Sequence, residues 1–298
     1  MRIGLSLGEP AGPGELVNLR RQIERAADDG FSSAWLSNIF GLDALTALAV
    51  AGGQVPGIEL GTSVVPAYPR HPAALAQQAL TVNAALDGRL ALGVGLSHKV
   101  VIEGMYGYSF DRPARYMREY LSVLVPLLRG AQVAFEGETL TARIGLTTPG
   151  AGNLPVLVAA LAPRMLKLAG ELADGTVLWM TGPKTVTEHI APAVTEAARA
   201  AGRPAPRIVC VLPVCVTDDA EAARAKAAEL FALYGELPSY RAVLDREGAA
   251  GPADVAIIGD EESVSARIGE LAKAGVTDFA AAVFAEGRRT REFLKTLL

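Results

Sequence analysis

Side chains that bind metals are scarce in this chain, and the few present stand apart. It has three histidines, His71, His98 and His189, none paired at i, i+4 and none beside a carboxylate cluster. A metal centre needs three or four donors set close together, so none is expected. Two cysteines, Cys210 and Cys215, share one apolar run at a spacing that suits neither a Cys-x-x-Cys redox pair nor a metal knuckle. On a strand they point to opposite faces, where packing is their role. Charge is also sparse, at 20% of residues, and the net charge of −4 offers no basic face for nucleic acid. No apolar run reaches the roughly 18 residues that span a bilayer. Neither a Gly-x-Gly-x-x-Gly nor a P-loop sequence occurs, which removes the Rossmann and nucleoside-triphosphate readings. Met1 to Leu5 enter a strand at once with no signal peptide, so a cytoplasmic protein is expected, with neither membrane nor nucleic acid as partner.

Half of the 298 residues are hydrophobic, and they are laid out in rhythm. Short, nearly unbroken apolar runs alternate with alanine-rich amphipathic segments, the mark of a parallel sheet buried on both faces. Eight runs read as strands: Arg2–Leu7, Ser33–Ser37, Ile58–Val65, Arg89–Gly95, Leu154–Ala160, Thr176–Met180, Arg207–Val216 and Thr277–Phe284. Helices are expected near 15–29, 43–52, 73–86, 113–129, 163–173, 184–201, 219–233, 260–274 and 288–297. Asp43 and Asp218 suit N-caps, and Pro113 and Pro163 suit a first helical turn. Eight strand–helix repeats predict an α/β fold of the (β/α)8 TIM-barrel type, with short insertions and a single domain over 1–298. The insertions are a hairpin at Gln132–Arg143 around Glu136-Gly137, and a longer stretch at Glu236–Val255. Gly4-Leu5-Ser6-Leu7-Gly8 matches the Gly-x-Ser-x-Gly nucleophile elbow. The match is empty, because its serine lies within the first strand, a Pro-Gly loop follows, and no earlier loop exists to supply an oxyanion donor.

The most specific stretch is one βαβ unit. It runs Ile58-Glu59-Leu60-Gly61-Thr62-Ser63-Val64-Val65, then a loop that Pro69 and Pro72 hold out of helix, then a helix, then Arg89-Leu90-Ala91-Leu92-Gly93-Val94-Gly95. This unit resembles the third and fourth strands of the bacterial-luciferase-like flavin and deazaflavin oxidoreductases. A second likeness covers Val158-Ala159-Ala160-Leu161-Ala162-Pro163-Arg164 and the run Leu168 to Thr176, which fits the family's Ala-Gly-Glu-x-Ala-Asp-Gly signature.

The resemblance implies a set of positions for each strand end. Thr62, Ser63 and Val64 match a strand that bulges against the tricyclic cofactor ring, often through a cis peptide, here Ser63-Val64. Ala159, Ala160 and Leu161 match a phosphate-binding turn whose backbone N–H groups face an anion at a helix start. After the second strand relatives commonly read Ser-Asp-His-Phe, and this chain has Ser37-Asn38-Ile39-Phe40. Asn38 can hydrogen-bond the cofactor, but Ile39 cannot take a proton, which counts against a dehydrogenase built on that histidine. Gly95, Leu96 and Ser97 lead to His98, where relatives often hold a glutamate as proton donor. Imidazole can do that work near neutral pH, and the plain alternative is an exposed loop histidine. Tyr68 and Tyr106 are the reserve donors. Trp179 either walls the ring pocket or fills barrel core. Arg112, Arg115 and Arg118 stand at helical spacing as a solvated face, while Lys99, Arg164 and Lys184 are positive charges near strand ends.

The activity so implied is oxidoreductase chemistry with coenzyme F420, an 8-hydroxy-5-deazaflavin. A hydride passes between the reduced deazaflavin and an electron-poor small organic substrate, in a homodimer. The alternatives are an FMN-dependent monooxygenase on the same barrel, and a flavin- or deazaflavin-binding protein without catalysis.

Overall fold

The computed structural model describes residues 1–8, 14–149 and 154–298. Eight parallel strands form the centre: β1 (Arg2–Ser6), β2 (Ser33–Leu36), β3 (Glu59–Thr62), β4 (Leu90–Gly95), β5 (Val156–Ala159), β6 (Gly175–Trp179), β7 (Arg207–Val216) and β8 (Asp278–Val283). Each pairs with the next in that order and β8 returns to β1, so the sheet closes into a (β/α)8 barrel. All eight expected runs are present as strands. The run expected to end at Val65 is interrupted at Ser63-Val64, whose peptide bond is cis, and Val65–Pro66 then pairs separately with β4.

Proline opens the helices Pro72–Ala85, Pro113–Leu128 and Pro163–Leu172 at their first turns, where its missing N–H costs nothing. Pro72 was expected in the loop; it starts the helix, with His71 accepting the Ala73 N–H at 3.2 Å. Asp43 caps Ala44–Gly52 through Thr46 N–H at 2.9 Å. At the helix Ala220–Leu230 the cap is Asp219, not Asp218, which forms an ion pair with Arg289 instead.

The hairpin is present as Val133–Glu136 paired with Thr141–Ile144. The buried Glu119 carboxylate holds its turn by accepting N–H bonds from Glu138, Thr139 and Leu140. The stretch Glu236–Val255 folds as the end of Ala232–Glu236 followed by Pro238–Glu247 and Pro252–Val255, and Ile257–Gly259 then adds a strand beside the upper part of β7. A short helix, Lys99–Gly104, follows β4. The Pro-Gly loop after β1 lies outside the described residues. Among the described residues, no helix is long and apolar enough to cross a membrane.

The barrel interior is filled rather than hollow, as such barrels are. Trp35, Ala91, Leu157, Val177, Val209, Val211 and Ala280 make one buried cluster inside it. Trp35 is wholly buried and donates its indole N–H to Ser33 Oγ at 2.9 Å. Its neighbour in the ladder is Gly61, where a Cβ would come within 2.3 Å of the indole ring. Val64, Trp179 and Ala282 pack on this cluster while remaining partly exposed, which makes them the top of the plug. Cys210 and Cys215 are both buried and free, in separate clusters.

The opposite end is closed by charge. Arg2, Glu59, Arg207 and Asp278 each begin a strand, and they meet there. Arg207 reaches Glu59 and Asp278 at 2.8 Å each, Arg2 reaches Glu59 at 3.0 Å, and Arg2 also pairs with Asp278. Burial would raise the Asp278 carboxyl, but Arg207, Thr277 and Arg2 outweigh it and hold it below the ordinary carboxylate value. A carboxylate so depressed stabilises the fold above its unfolded pKa and loses that effect as pH falls through the folded one. Asp278→Ala should lower unfolding free energy at pH 7 by roughly 3 kcal/mol, the low end for breaking a buried pair because Glu59 remains beside Arg207. In denaturant titrations the gap to wild type should narrow below about pH 4; a gap independent of pH would refute the ionic account.

Candidate active site

At the C-terminal ends of the strands the barrel opens into a cleft of about 2190 Å3. A pocket for one small ligand is usually about 300–1,000 Å3, so there is room here for a cofactor and a substrate together. The chain reaches this end in tense conformations. Ser97, Met180 and Glu286 follow β4, β6 and β8 with φ of 61°, 54° and 46°, a region non-glycine residues rarely enter and one that clusters at functional sites.

Of the expected cofactor contacts and the expected proton donor His98, all but one line the cleft. Ser63, Val64, Gly95, Leu96, Ser97 and His98 line it, as do Asn38, Ala159, Ala160, Leu161 and Trp179. Thr62 does not. It is wholly buried, and its hydroxyl donates to the Gly93 carbonyl at 2.8 Å and accepts the Gly93 N–H at 2.9 Å, tying β3 to β4 beneath the floor. Its expected place among the cofactor contacts is therefore corrected to a structural one. Val64 sits over β4 and β5 because those strands are bare beneath it: a Cβ on Gly95 would fall 2.6 Å from Val64 Cγ2 and 3.2 Å from Ala159 Cβ. Asn38 Oδ1 accepts the Ala44 N–H at 2.9 Å, fixing the side chain at the cleft edge.

The turn after β5 leads directly into a helix. Ala160 is buried, and Ala162 precedes the helix Pro163–Leu172 with no side chain capping it. The positive end of the helix dipole is thus open to the cleft. His189, in a π-helical turn at Val186–Ile190, donates from Nε2 to the Leu161 carbonyl at 2.9 Å and braces this turn from behind. Of the three cations named from sequence only Arg164 lines the cleft. Lys99 is paired with Glu103 at 3.6 Å. Arg112, Arg115 and Arg118 also reach the rim, but the first two are paired with Glu138 and the third with Glu171.

His98 is half-buried at the start of Lys99–Gly104, and burial lowers its pKa below the ordinary histidine value. Its ring lies 5.7 Å from that of Tyr240. Of the reserve donors, Tyr106 is at the mouth, whereas Tyr68 is outside the cleft, stacked on Tyr116 at 4.1 Å, with burial pushing its hydroxyl up to about 12. Trp179 is both things considered for it, packing on the barrel plug below and facing the cleft above. It meets Phe231 and Tyr234 edge-on at 5.8 and 5.6 Å, and Tyr234 meets Tyr240 at 5.1 Å. Sequence reasoning missed these three aromatics. The available signal was their concentration, in a chain only 6% aromatic, around the start of the long insertion.

The uncapped turn, the partly exposed Val64 and the large, mainly apolar cleft are features of donors and shape that suit a flat ring system carrying an anionic tail. Known proteins agree on the family. The chain matches the luciferase-like monooxygenase family over residues 2–278. A Mycobacterium tuberculosis protein provisionally named a coenzyme F420-dependent oxidoreductase is 30% identical over 78% of this chain and 72% of its own length. The coenzyme F420-dependent tetrahydromethanopterin reductase of Methanopyrus kandleri shares the fold with a TM-score of 0.83 at 23% identity, covering 99% of this chain and 98% of that one. So does the oxygenating constituent of 3,6-diketocamphane monooxygenase from Pseudomonas putida, solved with FMN, at a TM-score of 0.76 and 18% identity over 99% and 96% of the two chains. By its match over nearly the whole length, this chain belongs to the luciferase-like monooxygenase family.

Proposed function

We propose that this protein is an oxidoreductase using coenzyme F420, with hydride transfer to or from an electron-poor small organic substrate. The observation that carries the reading is the open helix start at Ala160–Ala162, beside a cleft large enough for two ligands and lined by the partly exposed Val64. Ala160, Leu161 and Ser97 would hold the cofactor's phosphate through backbone N–H groups, with Arg164 steering its acidic tail. Val64, on Gly95 and Ala159, would support the ring, and Asn38 would fix one edge of it. The bound deazaflavin supplies the hydride, and the protein supplies orientation, exclusion of water and the proton. His98 would carry that proton, since Ile39 cannot and Tyr68 lies elsewhere.

Three measurements bear on this. Calorimetric titration of the apoprotein should give tighter binding of the deazaflavin than of FMN; tighter FMN binding with oxygen consumption would replace the reading by a monooxygenase. Arg164→Ala should weaken deazaflavin binding only a few-fold, with the loss growing at low ionic strength, because an exposed charge steers more than it grips. Abolished binding at moderate salt would show that the backbone turn is not the main anion site.

His98→Ala should reduce turnover by about 10²–10⁴-fold with cofactor affinity nearly intact. The reductive kcat/KM of the wild type should fall as pH rises through the His98 pKa, which burial sets below the ordinary histidine value. An unchanged rate and a flat pH profile in wild type would leave His98 a loop residue.

A further inference from the structure

The lining of the cleft is divided by charge. Its ionic groups come from four segments: Arg25 in the first helix, Asp111 to Glu119, Arg164 to Lys167, and Arg291. From Leu168 to Ala281, no residue that lines the cleft carries a charge, and this stretch supplies Trp179, Phe231, Leu233, Tyr234, Leu237 and Tyr240. Four of these are aromatic, and they form a continuous wall. Phe231 and Tyr234 stand edge-on to Trp179 with interplanar angles of 76° and 72°, and Tyr240 is edge-on to Tyr234 at 87°. His98 closes the row against Tyr240. Edge-on walls of this kind present slots in which a flat ring meets aromatic faces and edges at favourable geometry.

A second observation points to what the slot takes. The Trp179 indole N–H is shielded from solvent and has no acceptor among the described residues. Buried donors are nearly always paired, and an orphan of this kind costs free energy until something accepts from it. Among the described residues nothing in this lobe carries a charge, so an ionic ligand would lose its water without compensation. A carbonyl on a flat, neutral molecule would satisfy the donor once the side chains that shield it give way, and would fill the slot.

We propose that the wall Trp179, Phe231, Tyr234 and Tyr240 is the organic-substrate lobe of the cleft, and that it takes an uncharged, planar, carbonyl-bearing compound whose oxygen accepts from Trp179 Nε1. The proposal deepens the oxidoreductase reading and rests on it. His98, at the end of the row, borders the same lobe, so a proton donor and a carbonyl acceptor share one compartment.

The test uses binding rather than turnover, on the full chain at pH 8, where His98 is neutral. The probes are 2-acetylnaphthalene, its carbonyl-free counterpart 2-ethylnaphthalene, and the anion 2-naphthoate. The ketone should bind best and the carboxylate worst, by about tenfold or more. Trp179→Phe keeps a ring but removes the donor, so it should weaken the ketone by about tenfold while leaving 2-ethylnaphthalene within about twofold. Tyr240→Ala should weaken both neutral probes, with circular dichroism checking that each variant is folded. The proposal is overturned if naphthoate binds as tightly as the ketone, or if Trp179→Phe affects ketone and hydrocarbon alike. Deazaflavin binding with no binding of any naphthalene would refute the lobe alone. Binding of the ketone in the expected order, with no deazaflavin binding, would support the lobe and refute the cofactor.

Discussion

Everything at the open end of this protein rests on how the barrel is filled below it. A closed ring of eight parallel strands has an interior only wide enough for side chains, and here one indole takes the largest share. Trp35 can lie there because its ladder neighbour is Gly61, where any Cβ would strike the ring. The next layer, built from small and branched residues on β4 to β8, leaves Val64, Trp179 and Ala282 as the uppermost surface. Those residues are therefore at once the lid of the core and the floor of the cleft. The position of the site follows from packing volume before any chemistry enters.

Charge is handled differently at the two ends. At the closed end, Arg2, Glu59, Arg207 and Asp278 are each the first residue of a strand, and their mutual pairing joins β1, β3, β7 and β8 across the barrel bottom. At the open end the arginines that reach the rim are mostly matched by their own glutamates, Glu138 and Glu171. At the turn after β5 the helix start carries no side-chain cap and is braced from behind by His189 on the Leu161 carbonyl. Oriented N–H groups recognise an anion by shape as well as sign, which a flexible lysine does not do.

The strands were legible because both of their faces are buried, which writes an apolar run that turn residues bound clearly. The Gly61-to-Val64 stretch and the turn at Ala160 stood out through their resemblance to the luciferase-like family rather than through local chemistry. Other features escaped because their causes are not local. Asp218 suits an N-cap in sequence, but it pairs with Arg289 from the last helix and Asp219 takes the cap. Thr62 reads as a site residue, but its hydroxyl is held by Gly93 on the neighbouring strand. The aromatic wall was hidden since Tyr234 and Tyr240 lie on short helices whose orientation is set by tertiary packing, with Phe231 at the junction before them.

That last case shows how one barrel serves different substrates. The plug and the anion turn are tied into the strand ladder, so a change there disturbs the fold: Gly61 or Gly95 cannot gain a Cβ without moving Trp35 or Val64. The wall opposite hangs on helices 232–236 and 238–247, which are linked to the barrel by side-chain contacts such as Glu247 accepting the Thr185 N–H at 2.7 Å. Their sequence can vary without breaking a strand pairing, while Trp179 remains fixed by the plug beneath it. One side of the cleft is thereby constrained by folding and the other is free to follow the ligand. The division is imposed by which residues the barrel needs in order to close.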